Sequence, residues 1–311
     1  HKLRFHLLTS LSQLPTSSSC CCCCCCFVVE VFFIQLHDHM VSSMIKAILF
    51  DLDGTLLDTE TLSDKALLLA LASLIQQKSS SSSSSSLSPS SSHQKDQIPT
   101  TLPWELKQQI LGLRGAEWTP IALKYAKDHW GVVVPQLDDQ PIPDPILLWK
   151  EWEDALNGMC EDIVACPGAT ELVETLAKQG YPMAIATSSR HAAVAKKRTN
   201  HGRIFQHVQA IVAGDDPAVR QGKPAPDIYL EAARQLQVDP QQCLAFEDAL
   251  SGVRAAKAAG CVVIAIPDQR FSESEKQVFR DEADVVLDDL WQFDGQAFGI
   301  NVDMKKLCFQ K

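Results

Sequence analysis

The chain has 311 residues, of which 46% are hydrophobic, and its formal net charge is −10. This length predicts one large domain with a smaller one beside it, and the apolar content is sufficient for a packed core. The negative charge argues against general binding to nucleic acid or to anionic membranes. The sequence contains no run of about 20 uninterrupted apolar residues and therefore predicts no transmembrane helix.

The first 43 residues differ in composition from the rest of the chain. They are rich in serine and contain the uninterrupted cysteine run Cys20–Cys26. We expect residues 1–43 to be a disordered low-complexity or targeting extension, with Met40 or Met44 as the natural start. A transit peptide is the alternative, because residues 1–29 contain no acid and many hydroxyl side chains.

An apolar run that ends in two acids follows directly. The run Ile45–Phe50 predicts a buried strand, and Asp51 and Asp53 come immediately after it. Because side chains alternate along a strand, these two carboxylates point the same way. Two carboxylates at the tip of a buried strand repel each other, so they require a cation or a bound substrate to compensate.

Such a pair suits phosphate chemistry. One Asp could attack phosphorus as a nucleophile, and its neighbour could donate and accept the proton. A hard divalent ion, Mg²⁺ above all, could bind through the carboxylates and the phosphate oxygens. The alternative is a strand followed by an ordinary Asp-Gly turn.

Residues 59–160 predict a helical segment interrupted by two loops. The predicted helices lie at 61–78, at Pro103–Leu113, at 119–130 with Pro120 in its first turn, and at 146–160. The nearly pure serine stretch Ser79–Ser92 predicts a flexible loop, and Pro135–Pro145 predicts a proline-rich one.

From Pro167 onward the sequence alternates between helical and strand patterns. Strands are predicted at 182–187, 208–212, 243–247, 261–266 and 284–287, and helices at 169–179, 190–199, 226–237, 251–259 and 272–281. This alternation predicts a parallel sheet with helices on both faces, which binds ligands at the carboxyl ends of its strands. Asp51, Thr187 and Asp248 fall at such strand ends.

Four short motifs in the chain belong together. They are Asp51-Leu52-Asp53-Gly54-Thr55-Leu56, Thr187-Ser188-Ser189, Gly222-Lys223-Pro224 and Glu247-Asp248. With these motifs in this order, residues 44–294 resemble the haloacid dehalogenase-like hydrolases. The run Gly214–Pro224 is similar to pseudouridine-5'-phosphatases, which belong to a subgroup with a small helical cap inserted after the first motif. That subgroup also holds 2-deoxyglucose-6-phosphatases, glycerol-phosphate phosphatases and β-phosphoglucomutases.

The resemblance implies an α/β fold, with a Rossmann-like parallel sheet core and an inserted α-helical cap domain. The core would comprise residues 44–58 and 161–294, and the cap residues 59–160 with a disordered Ser-rich insertion at 79–92. Residues 295–311 would form a C-terminal tail.

The resemblance also implies a role for each motif residue. Asp51 would be the nucleophile and Asp53 the acid and base. Thr187 and Ser188 would bind phosphate oxygens through a hydroxyl and an amide N–H. Lys223 would neutralise charge on the transferred phosphoryl group.

Mg²⁺ is the cofactor that the resemblance implies. Its ligands would be Asp51, the backbone carbonyl of Asp53 and the side chain of Asp248, with Glu247 ligating or hydrogen-bonding nearby.

The loop Gly112–Glu117 is similar to the cap loop that faces the active site in this subgroup. Arg114 and Glu117 are therefore candidate substrate-binding residues. A helix end with surface charges is the alternative for this loop.

The other motifs also have plain structural alternatives. Thr187 could be only the N-cap of the following helix, and Lys223 a solvated lysine in a loop. Glu247 and Asp248 could be no more than a polar strand end.

The sequence thus predicts an Mg²⁺-dependent phosphatase that hydrolyses a small phosphorylated metabolite through an aspartyl-phosphate. Pseudouridine 5'-phosphate is the expected substrate, on the resemblance of Gly214–Pro224. A sugar-phosphate or glycerol-phosphate phosphatase and a β-phosphoglucomutase-like phosphomutase are the alternatives. A dehalogenase would not need Asp53 or Asp248, and a non-catalytic binding protein would not need acids in every motif, so both are disfavoured.

We expect a monomer that has neither a nucleic acid nor a membrane as partner. The expected location is the cytoplasm, or an organelle if residues 1–43 are a transit peptide.

Overall fold

A parallel sheet of six strands is the centre of the computed structural model, which describes residues 44–81, 98–111, 113, 115–130 and 145–309. The strands are β1 (Ala47–Phe50), β2 (Leu57–Asp58), β3 (Val164–Ala165), β4 (Met183–Ala186), β5 (Ala210–Val212), β6 (Cys243–Glu247), β7 (Val262–Ala265) and β8 (Val285–Val286). In the central sheet the order is β5-β4-β1-β6-β7-β8, so β1 lies between β4 and β6. The predicted α/β fold with a parallel sheet is confirmed.

The helices come mainly as an inserted group and as connections between strands. They are α1 (Glu60–Ser81), α2 (Trp104–Ile110), α3 (Gly115–Trp130), α4 (Pro145–Gly158), α5 (Ala169–Lys178), α6 (His191–Arg198), α7 (Gly202–Phe205), α8 (Asp227–Leu236), α9 (Leu250–Ala259), α10 (Lys276–Glu282) and α11 (Met304–Cys308). None of the helices in the described ranges is long and apolar enough to cross a lipid bilayer.

The two faces of the central sheet build two separate apolar clusters. Ile48 and Phe50 of β1 belong to the cluster that includes α5, whereas Ala47 and Leu49 belong to the cluster that includes α8 and α9. This alternation is what a strand with period two produces when both of its faces are covered. Burial on both faces fixes the register of β1 and therefore the position of the residue that follows Phe50.

The helices α1 to α4 form the cap, which has an apolar cluster of its own. Leu67 and Leu71 of α1 pack with Leu106 of α2, Trp118 of α3 and Leu148 of α4. The rings of Trp118 and Trp152 meet edge to face at 5.3 Å. A cluster of this kind lets the cap hold its shape as a unit beside the sheet.

The cap joins the core through two crossings of the chain that pair with each other. The outgoing residues Leu57–Asp58 and the returning residues Val164–Ala165 form a two-stranded antiparallel ladder. The periodicity analysis does not predict these strands, because two residues are too few to show an alternating pattern.

Some predicted boundaries differ from the structure. α1 extends three residues into the predicted serine loop, to Ser81. α3 begins at Gly115 and not at 119, so Pro120 lies inside the helix. Trp118 and Thr119 are buried in the cap, so packing draws the preceding residues into the helix despite the proline.

The C-terminal boundary also differs. Residues 295–311 are predicted to be a tail, but Ile300, Val302 and Met304 are buried in the same cluster as α5. The limit at 294 therefore cuts through packed core. Residues 1–43, the serines 82–92 and the loop residues 135–144 lie outside the described residues.

Candidate active site

A cavity of about 430 Å³ lies between the carboxyl edge of the central sheet and the cap. Its wall contains most of the residues that the sequence predicts for the site: Asp51, Asp53, Thr187, Ser188, Lys223, Glu247 and Asp248. These residues come from four stretches of chain, and the parallel sheet brings them to one edge because its strands all end there.

Asp51 follows the last residue of β1, and its amide N–H donates to the carbonyl of Phe246 on β6. Phe50 is paired with Phe246 in the sheet, so Asp51 and Glu247 stand side by side. Both are buried. Two buried carboxylates at neighbouring strand ends require a positive charge between them.

Lys223 supplies that charge. Its Nζ lies 2.5 Å from Asp51 Oδ1 and 2.5 Å from Glu247 Oε1. Only 4% of the Lys223 side chain is exposed, so this lysine is not a solvated loop residue. Burial acts against its charge, but the two carboxylates outweigh burial and raise the pKa of Lys223.

Tyr229 on α8 also holds Glu247, through the same carboxylate oxygen that Lys223 contacts. Its hydroxyl donates to Glu247 Oε1, while Glu247 Oε2 is buried with no hydrogen-bond partner among the described residues. Gly252 of α9 lies against this carboxylate, and a Cβ atom there would come within 2.0 Å of Oε1. The absence of a side chain at Gly252 leaves the space that the Glu247 carboxylate occupies.

Asp248 completes a group of three buried acids. One carboxylate oxygen from each of Asp51, Glu247 and Asp248 lies within 4.8 Å of the others. Burial raises the pKa of Asp51 to about 8, with the charges of Glu247 and Asp53 adding to the effect and Lys223 opposing it. Burial and the Asp51 charge also raise the pKa of Asp248.

This donor set fits a divalent cation. It consists of carboxylate oxygens alone, and the second oxygen of Glu247 is buried with no hydrogen-bond partner among the described residues. All-oxygen donors suit hard ions such as Mg²⁺. The strand end is therefore more than a polar terminus, because Glu247 and Asp248 are both buried and each places an oxygen within 4.8 Å of one of Asp51.

Asp53 has a different environment from Asp51. Its carboxylate accepts from Lys197 Nζ and, at 2.7 Å, from Ser189 Oγ. Burial alone would raise the pKa of Asp53, but Lys197, Ser189 and Thr59 together lower it. The two acids of the first motif are thus driven in opposite directions, which is the pattern expected when they have different roles.

The loop Thr187–Ser189 follows β4 and faces Asp53. Thr187 is buried, and its Oγ1 accepts from the Ser189 amide at 3.0 Å. The N-cap of α6 is Arg190, so Thr187 is not the helix cap that the alternative interpretation supposed. A Cβ on Gly214 would lie 2.3 Å from the Ser188 carbonyl, so the loop after β5 packs directly on this loop.

The cap wall of the cavity comes largely from one face of α4. Trp149, Trp152, Glu153, Leu156 and Asn157 line the cavity and recur at helical spacing. Trp152 Nε1 donates to a backbone carbonyl of α1, that of Ser63, at 3.2 Å. This wall therefore offers aromatic surface beside two polar side chains.

The structure describes one of the two predicted cap residues. Glu117 lies at an exposed position of α3 and is not part of the wall. Arg114 lies outside the described residues. From this loop the wall contains Leu113, Gly115 and Ala116 instead.

Several residues of the site are absent from the motif analysis. Lys197 occupies a buried position of α6, three residues after buried Val194. Lys107 is likewise buried next to Leu106 in α2. A lysine at a position where helical spacing calls for an apolar residue is a signal that could have identified both.

Residues 45–260 match the family described as haloacid dehalogenase-like hydrolase. The mitochondrial (DL)-glycerol-3-phosphatase 1 of Arabidopsis thaliana is 33% identical over 256 residues, which cover 81% of this chain and 73% of that protein. The probable pseudouridine-5'-phosphatase of Drosophila melanogaster is 31% identical over 258 residues, 81% of this chain and 92% of that protein.

A solved structure shows the same architecture. CbbY from Rhodobacter sphaeroides in complex with phosphate is 27% identical and superimposes with a TM-score of 0.56, over 79% of this chain and 95% of that one.

The close approach of Gly252 to Glu247 leads to a prediction about stability. Gly252→Ala should destabilise the protein by about 1–3 kcal/mol, because the added methyl group meets a carboxylate that Lys223 and Tyr229 hold in place. Urea denaturation measures the effect. Gly158→Ala is the matched control, since Gly158 is also helical and a Cβ there meets nothing within 4 Å. Equal midpoints for the two variants would contradict this account of Glu247.

Proposed function

This chain belongs to the haloacid dehalogenase-like hydrolase family, and we propose that it is an Mg²⁺-dependent phosphatase acting on a small phosphate monoester. The observation that carries the proposal is the buried pair of Asp51 and Lys223, 2.5 Å apart, in a cavity that also contains Asp53 and the Thr187 hydroxyl. A nucleophile, an acid–base group and phosphate-binding donors are the parts that this reaction requires.

In the first step, a carboxylate oxygen of Asp51 forms a bond to phosphorus as the bond to the leaving oxygen breaks. The leaving oxygen takes a proton from Asp53. Lys223 balances part of the negative charge on the phosphoryl oxygens, and the Thr187 hydroxyl and the Ser188 amide donate to them. The product of this step is an aspartyl-phosphate and a free alcohol.

In the second step, a water oxygen bonds to phosphorus as the bond between phosphorus and the Asp51 oxygen breaks. Asp53 takes a proton from the water, and inorganic phosphate leaves. The contacts of Asp53 support this role, because Lys197 and Ser189 favour its ionised form, which is the form that accepts a proton. The first step requires the protonated form of Asp53, and the proton that it gives to the leaving oxygen is replaced by the one that it takes from water in the second step.

The residues that would hold Mg²⁺ are Asp51, the backbone carbonyl of Asp53 and Asp248, with Glu247 alongside. The ion would neutralise charge on the phosphate and allow Asp51 to approach it in ionised form. The mutual repulsion of the buried acids supports its presence.

Pseudouridine 5'-phosphate is the proposed substrate. The cavity volume of about 430 Å³ falls in the range of roughly 300–1,000 Å³ that is usual for small-molecule pockets. The face of α4 supplies Trp149 and Trp152 as surfaces for a flat base, with Glu153 and Asn157 in reach of hydroxyl groups. A relative named as a probable pseudouridine-5'-phosphatase agrees with this choice.

A glycerol-phosphate phosphatase is the second candidate. It is favoured by the 33% identity to a (DL)-glycerol-3-phosphatase, which is as high as the identity to the pseudouridine-5'-phosphatase relative. The aromatic wall is the feature that argues for the larger substrate, because glycerol has no ring to place against it.

The nucleophile assignment predicts that Asp51→Asn lowers phosphate release by at least about 10³-fold, since an amide cannot attack phosphorus in place of a carboxylate. Phosphate release from pseudouridine 5'-phosphate and far-UV circular dichroism would be measured together. Asp239→Asn, at an exposed turn before β6, is the control. Retained turnover in the Asp51 variant refutes the assignment.

The metal assignment predicts that Mg²⁺ raises the melting temperature. At about 100 times its Kd the ion should add about 2.7 kcal/mol of stability, equivalent to several degrees. Asp248→Asn should lose most of this increase, whereas Asp239→Asn should keep it. NaCl at matched ionic strength separates binding from screening. An equal increase in the Asp248 variant would exclude Asp248 as a ligand.

The substrate assignment predicts that kcat/KM is higher for pseudouridine 5'-phosphate than for glycerol 3-phosphate, by about tenfold or more if the aromatic wall contacts the base. Trp152→Leu should lower the first value and leave the second within about twofold. The opposite preference in the unaltered protein would favour the glycerol-phosphate candidate. Conversion of β-glucose 1-phosphate to glucose 6-phosphate would indicate a phosphomutase.

A further inference from the structure

The cap contacts the core at a second place, away from the two crossings of the chain. The core side of this contact is the loop between β7 and α10, and we call its residues Asp268, Arg270, Phe271 and Glu275 the cap seat. The ring of Trp104 at the start of α2 lies 4.9 Å from the Phe271 ring at an angle of 77°. This is an edge-to-face contact between one cap residue and one core residue.

Polar contacts surround these rings. Arg270 Nη1 lies 2.9 Å from Asp64 Oδ2 on α1, and the guanidinium carbon lies 4.7 Å from the centre of the Trp104 ring. Gln108 on α2 donates to Glu275 Oε1. Arg270 therefore contacts both of the cap helices that meet the seat.

Asp268 holds the Arg270 guanidinium in a fixed direction. Nε and Nη2 of Arg270 both donate to the Asp268 carboxylate, and the Arg270 amide N–H donates to Asp268 Oδ1 at 2.8 Å. A bidentate pair restricts the planar guanidinium strongly. The charge that Arg270 offers to the cap is thus pre-positioned by the core.

The contact continues from Arg270 into the catalytic cavity. Asp64 also accepts from Lys107 Nζ at 2.5 Å, and Lys107 pairs with Glu60. Only 3% of the Lys107 side chain is exposed. Asp64, Lys107 and Glu60 all line the cavity, and Arg270 does not.

We propose that Arg270 is a positioning residue, which seats the cap on the core through Asp64 and Trp104 and so fixes the space available to the leaving group. The inference rests on the proposed phosphatase function. Glu60, Asp64 and Lys107 on α1 and α2 line the cavity. If the cap loses its contact with Arg270, these wall residues move away from the phosphate site. In this proposal Arg270 does not itself contact the substrate.

The expected effect is selective for esters whose leaving group fills the cap half of the cavity. Arg270→Met should lower kcat/KM for pseudouridine 5'-phosphate by about tenfold, the loss expected when an ion pair and a cation–π contact disappear together. Acetyl phosphate has a small leaving group that needs little protonation, so its kcat/KM should stay within about twofold. Arg270→Lys keeps the charge and should restore part of the loss.

Arg254→Met is the matched control. Arg254 lies in the core domain, has a similar exposure to Arg270, and also pairs with a carboxylate through two nitrogen atoms. Its partner Glu282 belongs to the core domain as well, so this pair does not contact the cap. It should leave both kcat/KM values within about twofold. The double variant Asp64→Asn/Arg270→Met should lose less than the product of the two single losses, because the Arg270–Asp64 pair is removed in both single variants.

Amide hydrogen exchange supplies a readout that does not depend on turnover. Arg270→Met should accelerate exchange in α2 and leave α5 unchanged, whereas Arg254→Met should change neither. An equal loss for both substrates, no loss for either, or unchanged exchange in α2 would overturn the role of Arg270. If the unaltered protein releases phosphate from neither ester, the proposed function fails, and the exchange experiment still decides whether Arg270 seats the cap.

Discussion

A buried lysine between two buried carboxylates is the contact on which the rest of this site depends. Asp51 and Glu247 stand side by side because Phe50 and Phe246 are paired in the sheet. Without Lys223 that arrangement would leave two charges uncompensated in the interior, a condition that costs several kcal/mol. The loop before α8 supplies the lysine and α8 itself supplies Tyr229, so the helix that covers one face of the sheet also stabilises the reactive edge.

The remaining negative charge at this edge is what gives the site its chemistry. Lys223 balances one of three clustered acids, and burial raises the pKa values of Asp51 and Asp248. A pocket in this condition favours a cation, and a bound cation would also offset the negative charge of a phosphate group beside the acids. The core supplies these reactive groups, and the cap supplies the aromatic wall on α4 and the charged wall around Lys107.

The sequence predicted the core of the fold and of the site, and predicted the cap less well. The strands β1, β4 and β6 are short apolar runs that end in Asp51, Thr187 and Glu247-Asp248, so pattern and motif coincided there. The strands β2 and β3 were missed because two residues are too few to show a periodic pattern. Lys197, Lys107 and Arg270 were missed because packing between distant elements makes them neighbours of their partners. Lys197 pairs with Asp53, and Lys107 and Arg270 both pair with Asp64. The burial of Met304 likewise depends on tertiary packing, in the cluster that includes α5.

The pairing of strands β2 and β3 has a consequence for how the sequence of such a protein can evolve. Because Leu57–Asp58 and Val164–Ala165 are hydrogen-bonded to each other, the ends of the cap segment are fixed at a constant separation. Residues added between them lengthen a loop whose ends are already closed, and the entropy of closure grows only slowly with length. Long insertions are therefore tolerated in the cap while the spacing of the catalytic groups stays constant, so specificity can diverge without rebuilding the chemistry.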